Sequence, residues 1–291
     1  TVGRGGGAVS TNTAVGVGVL ASTTGGFNTA VGYQSLFSNT SGPDNNAFGY
    51  LTLYKNLSGS SNSAFGDAAL YNNTSGSRNI AVGLEALTSN TTASNNTAVG
   101  YQAGYSNTTG YVNTAVGYLA LYSNTTAAAV VAVGSRALTS NTTGGDNTAV
   151  GRDAGLSNTT GGAITAIGQE ALRSNTTGNY NVAVGSTALL SNTTASYSTA
   201  VGYQAGYSNT TGSVTAFGMA ALYSNTTGVY NTAIGGRDAS NYSPMGANTT
   251  GSYNTALGHG SLGNNTTAAS NTAVGYQAGY SNTTGTENVA L

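Results

Sequence analysis

The chain has no cysteine, no tryptophan, two prolines and very little charge. Without cysteine there is no disulfide framework, no thiolate nucleophile and no thiolate metal ligand, a composition compatible with an extracellular setting. Charged residues make up 5% of the 291 positions, against about 25% in ordinary globular domains. A net charge of −1 gives neither the basic footprint of a nucleic-acid binder nor a polybasic patch for an acidic membrane. The longest apolar run, Ala127 to Val133, falls far short of the roughly 20 residues of a membrane helix. The expectation is no nucleic-acid partner and no membrane insertion.

Catalytic groups are just as sparse. The one histidine, His259, sits at a corner of the repeat described below and reads as solvent-exposed or structural. The acidic residues Asp44, Asp67, Glu85, Asp146, Asp153, Glu170, Asp238 and Glu287 are scattered, without a paired-carboxylate spacing. No calcium nonapeptide, zinc cluster or phosphate loop occurs. These absences predict a protein that is not an enzyme and holds no cofactor and no metal.

What the chain does have is a period. The alanine of an Ala-Val-Gly signature recurs at Ala14, Ala30, Ala47, Ala64, Ala81, Ala98, Ala115, Ala132, Ala149, Ala166, Ala183, Ala200, Ala216, Ala233, Ala256, Ala273 and Ala290; 13 of the 16 intervals are 17 residues, two are 16 and one is 23. A period held this tightly means one structural unit stacked many times. The unit reads Asn-Thr-Ala-Val-Gly-x-x-Ala-Leu-x-Ser-Asn-Thr-Thr-Gly-x-x. β-Branched residues flank the alanine, as in Thr97-Ala98-Val99 and Val131-Ala132-Val133, which suits a short strand. The following glycine marks a turn, Ala120-Leu121-Tyr122 and its equivalents read as a second short strand, and Ser-Asn-Thr-Thr-Gly forms a polar corner. The predicted fold is all-β, a parallel β-solenoid or β-roll of about sixteen 17-residue coils. It runs over residues 11–291, after a glycine-rich segment at 1–10, with an insertion near 240–246 around Asn241, Tyr242, Ser243, Pro244, Met245 and Gly246.

Stacking converts the repeat into columns. The residue after the alanine is Val, Ile, Leu or Phe (Val31, Phe48, Phe65, Val82, Val99 and so on) and is expected to form the inner spine. The alanine column is then expected to face another wall, sheet or chain at close range. A leucine column (Leu36, Leu53, Leu70, Leu87, Leu121) is replaced by glycine at Gly104, Gly155, Gly206 and Gly279. Two aromatic columns, Phe37-Tyr54-Tyr71 and Tyr33-Tyr50 with their equivalents, are expected to stack ring on ring and cover the surface.

The polar corner carries Asn39, Asn56, Asn73, Asn90, Asn107, Asn124, Asn141, Asn158, Asn175, Asn192, Asn209, Asn225, Asn248, Asn265 and Asn282, each followed two residues later by Ser or Thr. Two readings stay open. The asparagines form a stacked amide ladder, or they are N-glycosylation acceptors and the protein is coated with covalent glycans.

At the ends, the chain stops mid-rung after Val289, Ala290 and Leu291. Joined head to tail, that half-rung is completed by Thr1, Val2 and Gly3 of the next copy; otherwise 1–291 is an excerpt of a longer chain. The unit Asn-Thr-Ala-Val-Gly, as at 28–32, 96–100, 147–151 and 271–275, resembles the Ser-Val-Ala-Ile-Gly unit of trimeric autotransporter adhesin heads and related phage tail-fibre repeats. The resemblance implies a left-handed parallel β-roll, with a trimer as one assembly, on a cell or virion surface and acting in attachment. The head family has a shorter rung, and the extra residues here lie in the Ser-Asn-Thr-Thr corner.

The expected function is a non-enzymatic structural subunit of an extracellular fibre or filament, self-assembling as a head-to-tail filament or a trimer. The alternatives are an adhesin head or phage-fibre module that binds a surface glycan, and an ice-binding solenoid using its threonine columns.

Overall fold

The computed structural model describes residues 2–3, 9–237 and 242–291. The chain divides into two compact units, residues 1–146 and 147–291. The first unit holds β1 (Val2–Gly3), β2 (Thr13–Val15), β3 (Thr29–Val31), β4 (Asn46–Phe48), β5 (Ser63–Phe65), β6 (Ile80–Val82), β7 (Thr97–Val99), β8 (Thr114–Val116) and β9 (Val131–Val133). The second holds β10 (Thr148–Val150), β11 (Thr165–Ile167), β12 (Val182–Val184), β13 (Thr199–Val201), β14 (Val214–Phe217), β15 (Asn231–Ile234), β16 (Thr255–Leu257), β17 (Thr272–Val274) and β18 (Val289–Ala290). From β2 onward, successive strands within each unit pair in parallel with alanine on alanine, for example Ala98 on Ala115 and Ala166 on Ala183. The protein is an all-β solenoid of about sixteen coils, with about 17 residues per coil and no helix among the described residues.

The inside and outside of each strand are reversed from the expectation. The alanines are the core: Ala30, Ala47, Ala98 and Ala132 in the first unit, and Ala166, Ala183 and Ala216 in the second, are fully buried. The Val-Phe-Ile column is half-exposed on the outer face, with Phe65 at 40% and Ile167 at 40%. The cause is the narrowness of the coil. Its interior already holds a leucine and two asparagine amides per turn, so the strand can add only a methyl group. Residues two apart share a face, so an inward alanine sends both β-branched neighbours outward. Val116→Thr is therefore expected to change unfolding free energy by no more than about 0.5 kcal/mol, whereas Ala115→Val overpacks the core and costs about 1–3 kcal/mol. Chemical denaturation of the two variants checks this; equal effects would contradict the inward alanine.

The Ala-Leu-Tyr segment is a turn, not a second strand. Leu36, Leu53, Leu70 and Leu87 sit at φ between 50° and 53°, and Gln34, Leu51, Ala68 and Glu85, two residues earlier, are also left-handed. Such a backbone is unfavourable for leucine, by about 1–2 kcal/mol per residue. It is held because the leucine side chain is buried and its amide is used: Leu87 N donates to Ala103 O at 3.0 Å, and Ser89 N to Tyr105 O at 3.0 Å. The glycines of this column adopt the same conformation without strain, Gly104 at φ 61° and Gly155 at φ 59°. A Cβ at Gly104 would meet Leu87 Cδ2 at 3.0 Å, so the neighbouring leucine occupies the space it leaves. Leucine fills the core and glycine relieves the backbone at one and the same position.

The aromatic columns stack as expected. Phe37 on Tyr54 and Tyr54 on Tyr71 lie at 5.3 and 5.2 Å with near-parallel rings, and Tyr101 on Tyr118 at 5.5 Å. In the second unit Tyr207 stacks on Tyr223 at 5.0 Å.

Candidate functional site

The corner asparagines face inward. In the first unit each Nδ2 of Asn56, Asn73, Asn90, Asn107, Asn124 and Asn141 donates to Oδ1 of the asparagine one coil earlier, in a file that starts at Asn39, at 2.8 to 3.2 Å. In the second unit Asn175, Asn192, Asn209, Asn225, Asn248, Asn265 and Asn282 do the same in a file that starts at Asn158, at 2.7 to 3.2 Å. Each Nδ2 also donates to the carbonyl three residues ahead in its own coil, as Asn73 does to Gly76 O at 2.9 Å. Asn39 to Asn265 are buried, and only Asn282 is half-exposed. An N-glycan is attached at Nδ2. In the folded coil both Nδ2 hydrogens of these asparagines are engaged, and only at Asn282 is the side chain partly open to solvent. The geometry is that of an amide ladder, each rung polarising the next. The first threonine of the corner completes it: Thr108 Oγ1 donates to Thr125 O at 2.9 Å.

A second buried asparagine file was not foreseen. It is the asparagine that opens the Asn-Thr-Ala-Val-Gly signature. Its Oδ1 accepts the main-chain N–H of its equivalent in the next coil, and its Nδ2 donates to the corner carbonyl of that coil. Asn62 N donates to Asn45 Oδ1 at 3.0 Å, and Asn45 Nδ2 to Gly59 O at 2.8 Å. Asn79 and Asn96 repeat the pattern. The signal was present in the repeat, since this asparagine recurs in most coils, giving way only to Val130, Ile164, Ser198 and Val214. Its proximity to the strand made it read as part of a motif instead of as a column of its own.

The outer sheet face is the surface least like ordinary protein exterior. The two residues that flank each inward alanine face outward. Across β2–β18 no charged residue occupies either position. In the first unit Phe65, Ile80 and Val82 are 40%, 44% and 36% exposed, and in the second Val150, Phe217, Ile234 and Leu257 are 37% to 43% exposed. Past the turn glycine, Tyr101 and Tyr118 extend this apolar strip. In the first unit eight parallel strands at about 4.8 Å spacing, each about 13 Å across this stretch, make a flat face of about 500 Å².

The candidate assembly ends behave differently from each other. Thr1 lies outside the described residues. Val2 and Gly3 form β1, which pairs antiparallel with β2 of the same chain, Val2 opposite Val15 and Gly3 opposite Ala14. That pairing uses the two residues on their own first coil, where end-joining would need them on the last coil of another copy. Val289 and Ala290 form β18 on β17, with Val289 74% and Leu291 93% exposed.

Asp153 and Glu170, distant in sequence, both meet Arg152, at 2.8 and 2.9 Å. Among the described residues no cluster of three metal-ligating side chains occurs, and no helix is long and apolar enough to cross a membrane. His259 stacks on Tyr276 at 5.4 Å beside the insertion. Asn241 and Asp238, at the start of that insertion, lie outside the described residues. The coil resumes at Ser243-Pro244-Met245, where buried Met245 takes the leucine position at φ 48°.

No protein-family model, curated protein or solved structure matches the chain.

Proposed function

We propose that the protein is a non-enzymatic structural subunit of an extracellular fibre, assembled from copies of itself through the outer face of its parallel sheet. The observation that carries this reading is the pair of charge-free outward columns, one mostly threonine and one of valine, isoleucine, leucine or phenylalanine, presented by consecutive strands. Apolar patches of several hundred Å² mark interaction sites on soluble proteins. Two copies meeting on one unit's face bury about 1,000 Å² in total, the lower bound for a specific interface. A second copy fits better than an acidic or basic partner, because neither outward position offers a charge for such a partner to pair with. The two internal asparagine files tie each coil to the next through buried hydrogen bonds, which suits a subunit of a stiff filament. The likeness of the repeat to trimeric adhesin heads supports the surface location and lateral association. The antiparallel β1 on the first coil favours lateral over end-to-end contact. Glycans on the corner asparagines form no part of the proposal.

The test is the oligomeric state. The purified full chain is expected to sediment as a trimer or larger assembly and to give fibres in electron micrographs. Val82→Lys, Val99→Lys and Val116→Lys together are expected to disperse it into monomers with an unchanged circular-dichroism spectrum. A wild-type monomer at every concentration tested, or a triple variant that still assembles, would overturn the reading.

A further inference from the structure

Between Tyr207 and Tyr280 the aromatic column of the second unit is interrupted once, and the interruption has the shape of a binding site. Tyr223 stacks on Tyr207 through one face, at 5.0 Å and 7°. On its other side the next two positions of the column are Gly246 and Gly263, and glycine occurs at this position in no other coil. Tyr280 then leans back over Gly263, where a Cβ would meet its Cε2 at 2.7 Å. Tyr242 from the insertion braces Tyr280 edge to face at 4.9 Å. What stays open is the rung of Gly246, a slot of about 510 Å³ between tyrosines.

The slot suits a flat ring, because Tyr223 closes it from the coil before and Tyr280, from two coils on, leans over Gly263 on the other side. Its rim is polar. Ser224 and Asn264 supply a hydroxyl and an amide, and Arg237 supplies a guanidinium with which no carboxylate pairs among the described residues. A tyrosine face, hydrogen-bonding groups around it and one guanidinium are the complement of a pyranose ring that bears a carboxylate: the ring's C–H face lies on the tyrosine, its hydroxyls meet the rim, and the carboxylate takes the arginine fork. We infer that this slot binds an acidic sugar residue of the uronic-acid class. The site is separate from the outer sheet face and does not depend on assembly.

The probes are methyl β-glucuronide, its neutral counterpart methyl β-glucoside, and benzoate as a flat anion without hydroxyls, each titrated into the full chain by calorimetry. The glucuronide is expected to bind at least about tenfold more tightly than the glucoside, the value of one charge-assisted contact. Arg237→Gln is expected to abolish that preference. Gly246→Tyr restores the missing ring; its Cβ would press on the Ser243 hydroxyl, the end of a side chain that can turn aside, so the coil is expected to stay folded while losing the ligand. No binding by the wild type, equal affinity for glucoside, benzoate as good as glucuronide, or undiminished binding in a folded Gly246→Tyr protein would each overturn the assignment.

Discussion

Gly100→Ala is expected to destabilise the protein by about 3–5 kcal/mol. Gly100 ends β7 at φ 135°, a region essentially closed to residues with a Cβ, and its N–H donates to Val82 O at 2.8 Å, so it cannot relax by sliding. A Cβ there would also press on the carbonyl of Gly117 in the next coil, with the carbonyl carbon at 2.7 Å. Crowding alone does not decide the matter. Gly110 is pressed just as closely by the carbonyl of Ala127, yet its column carries alanine at Ala93 and Ala127. The difference is the backbone: Gly110 is not left-handed, and Gly100 is. Gly110→Ala is the matched control and is expected to cost less than about 1 kcal/mol. In a stacked repeat each coil contacts only its neighbours, so the damage should be local. Amide exchange should quicken around Val99 and Gly117 first. A Gly100→Ala protein that melts with Gly110→Ala would show that the turn tolerates a side chain after all.

The contrast between these two glycines also marks how far the sequence could be read. The period of the alanine signature was enough to establish the parallel stack, its coil length and its register, because a column that never varies must meet its own copy one coil away. The same columns did not reveal which face was inside. Valine and phenylalanine are ordinarily the core and alanine is neutral, so composition alone points to Val99 as spine and Ala98 as a contact point. The deciding quantity was the width of the coil interior, which depends on Asn96, Asn107 and the leucine position together and on no single residue. Leu87 misled for a related reason. A buried leucine between an alanine and an aromatic looks like a strand, and nothing local to it announces a left-handed backbone. The hint lay elsewhere in the column, in Gly104, Gly155, Gly206 and Gly279, which mark a position where positive φ is the rule. The corner asparagines were ambiguous in principle, since an acceptor motif and an amide ladder share the same letters. The short pairing of Val2 and Gly3 with β2 left no pattern to read.

Asn73→Asp tests the amide ladder most severely, because it changes one atom's chemistry and almost none of its shape. In the native coil Asn73 Nδ2 donates to Asn56 Oδ1 at 2.8 Å and to Gly76 O at 2.9 Å, while its Oδ1 accepts from Asn90 Nδ2 at 2.8 Å. An ionised aspartate keeps the third contact and turns the first two into oxygen facing oxygen, in a site with no solvent exposure. The uncompensated buried charge costs about 3–5 kcal/mol at neutral pH. The penalty must also depend on pH, with a sign that follows from linkage. Burial among acceptors raises the carboxyl's folded-state pKa above its unfolded value of about 4, so the protonated form is the one the fold prefers. Below about pH 4 both states are protonated, the acid proton restores one of the two lost donors, and the penalty is smallest. As pH rises from there towards the folded-state pKa the variant loses stability steadily relative to wild type, then levels off. Asn73→Ala removes the same donors without a charge, so its deficit should be flat over the same range. The measurement is the melting temperature of the three proteins at matched pH values, with wild type as the baseline for every other titrating group. If the gap between Asn73→Asp and wild type were constant with pH, or no larger than that of Asn73→Ala at neutral pH, the side chain would be reaching water and the dry ladder would be wrong.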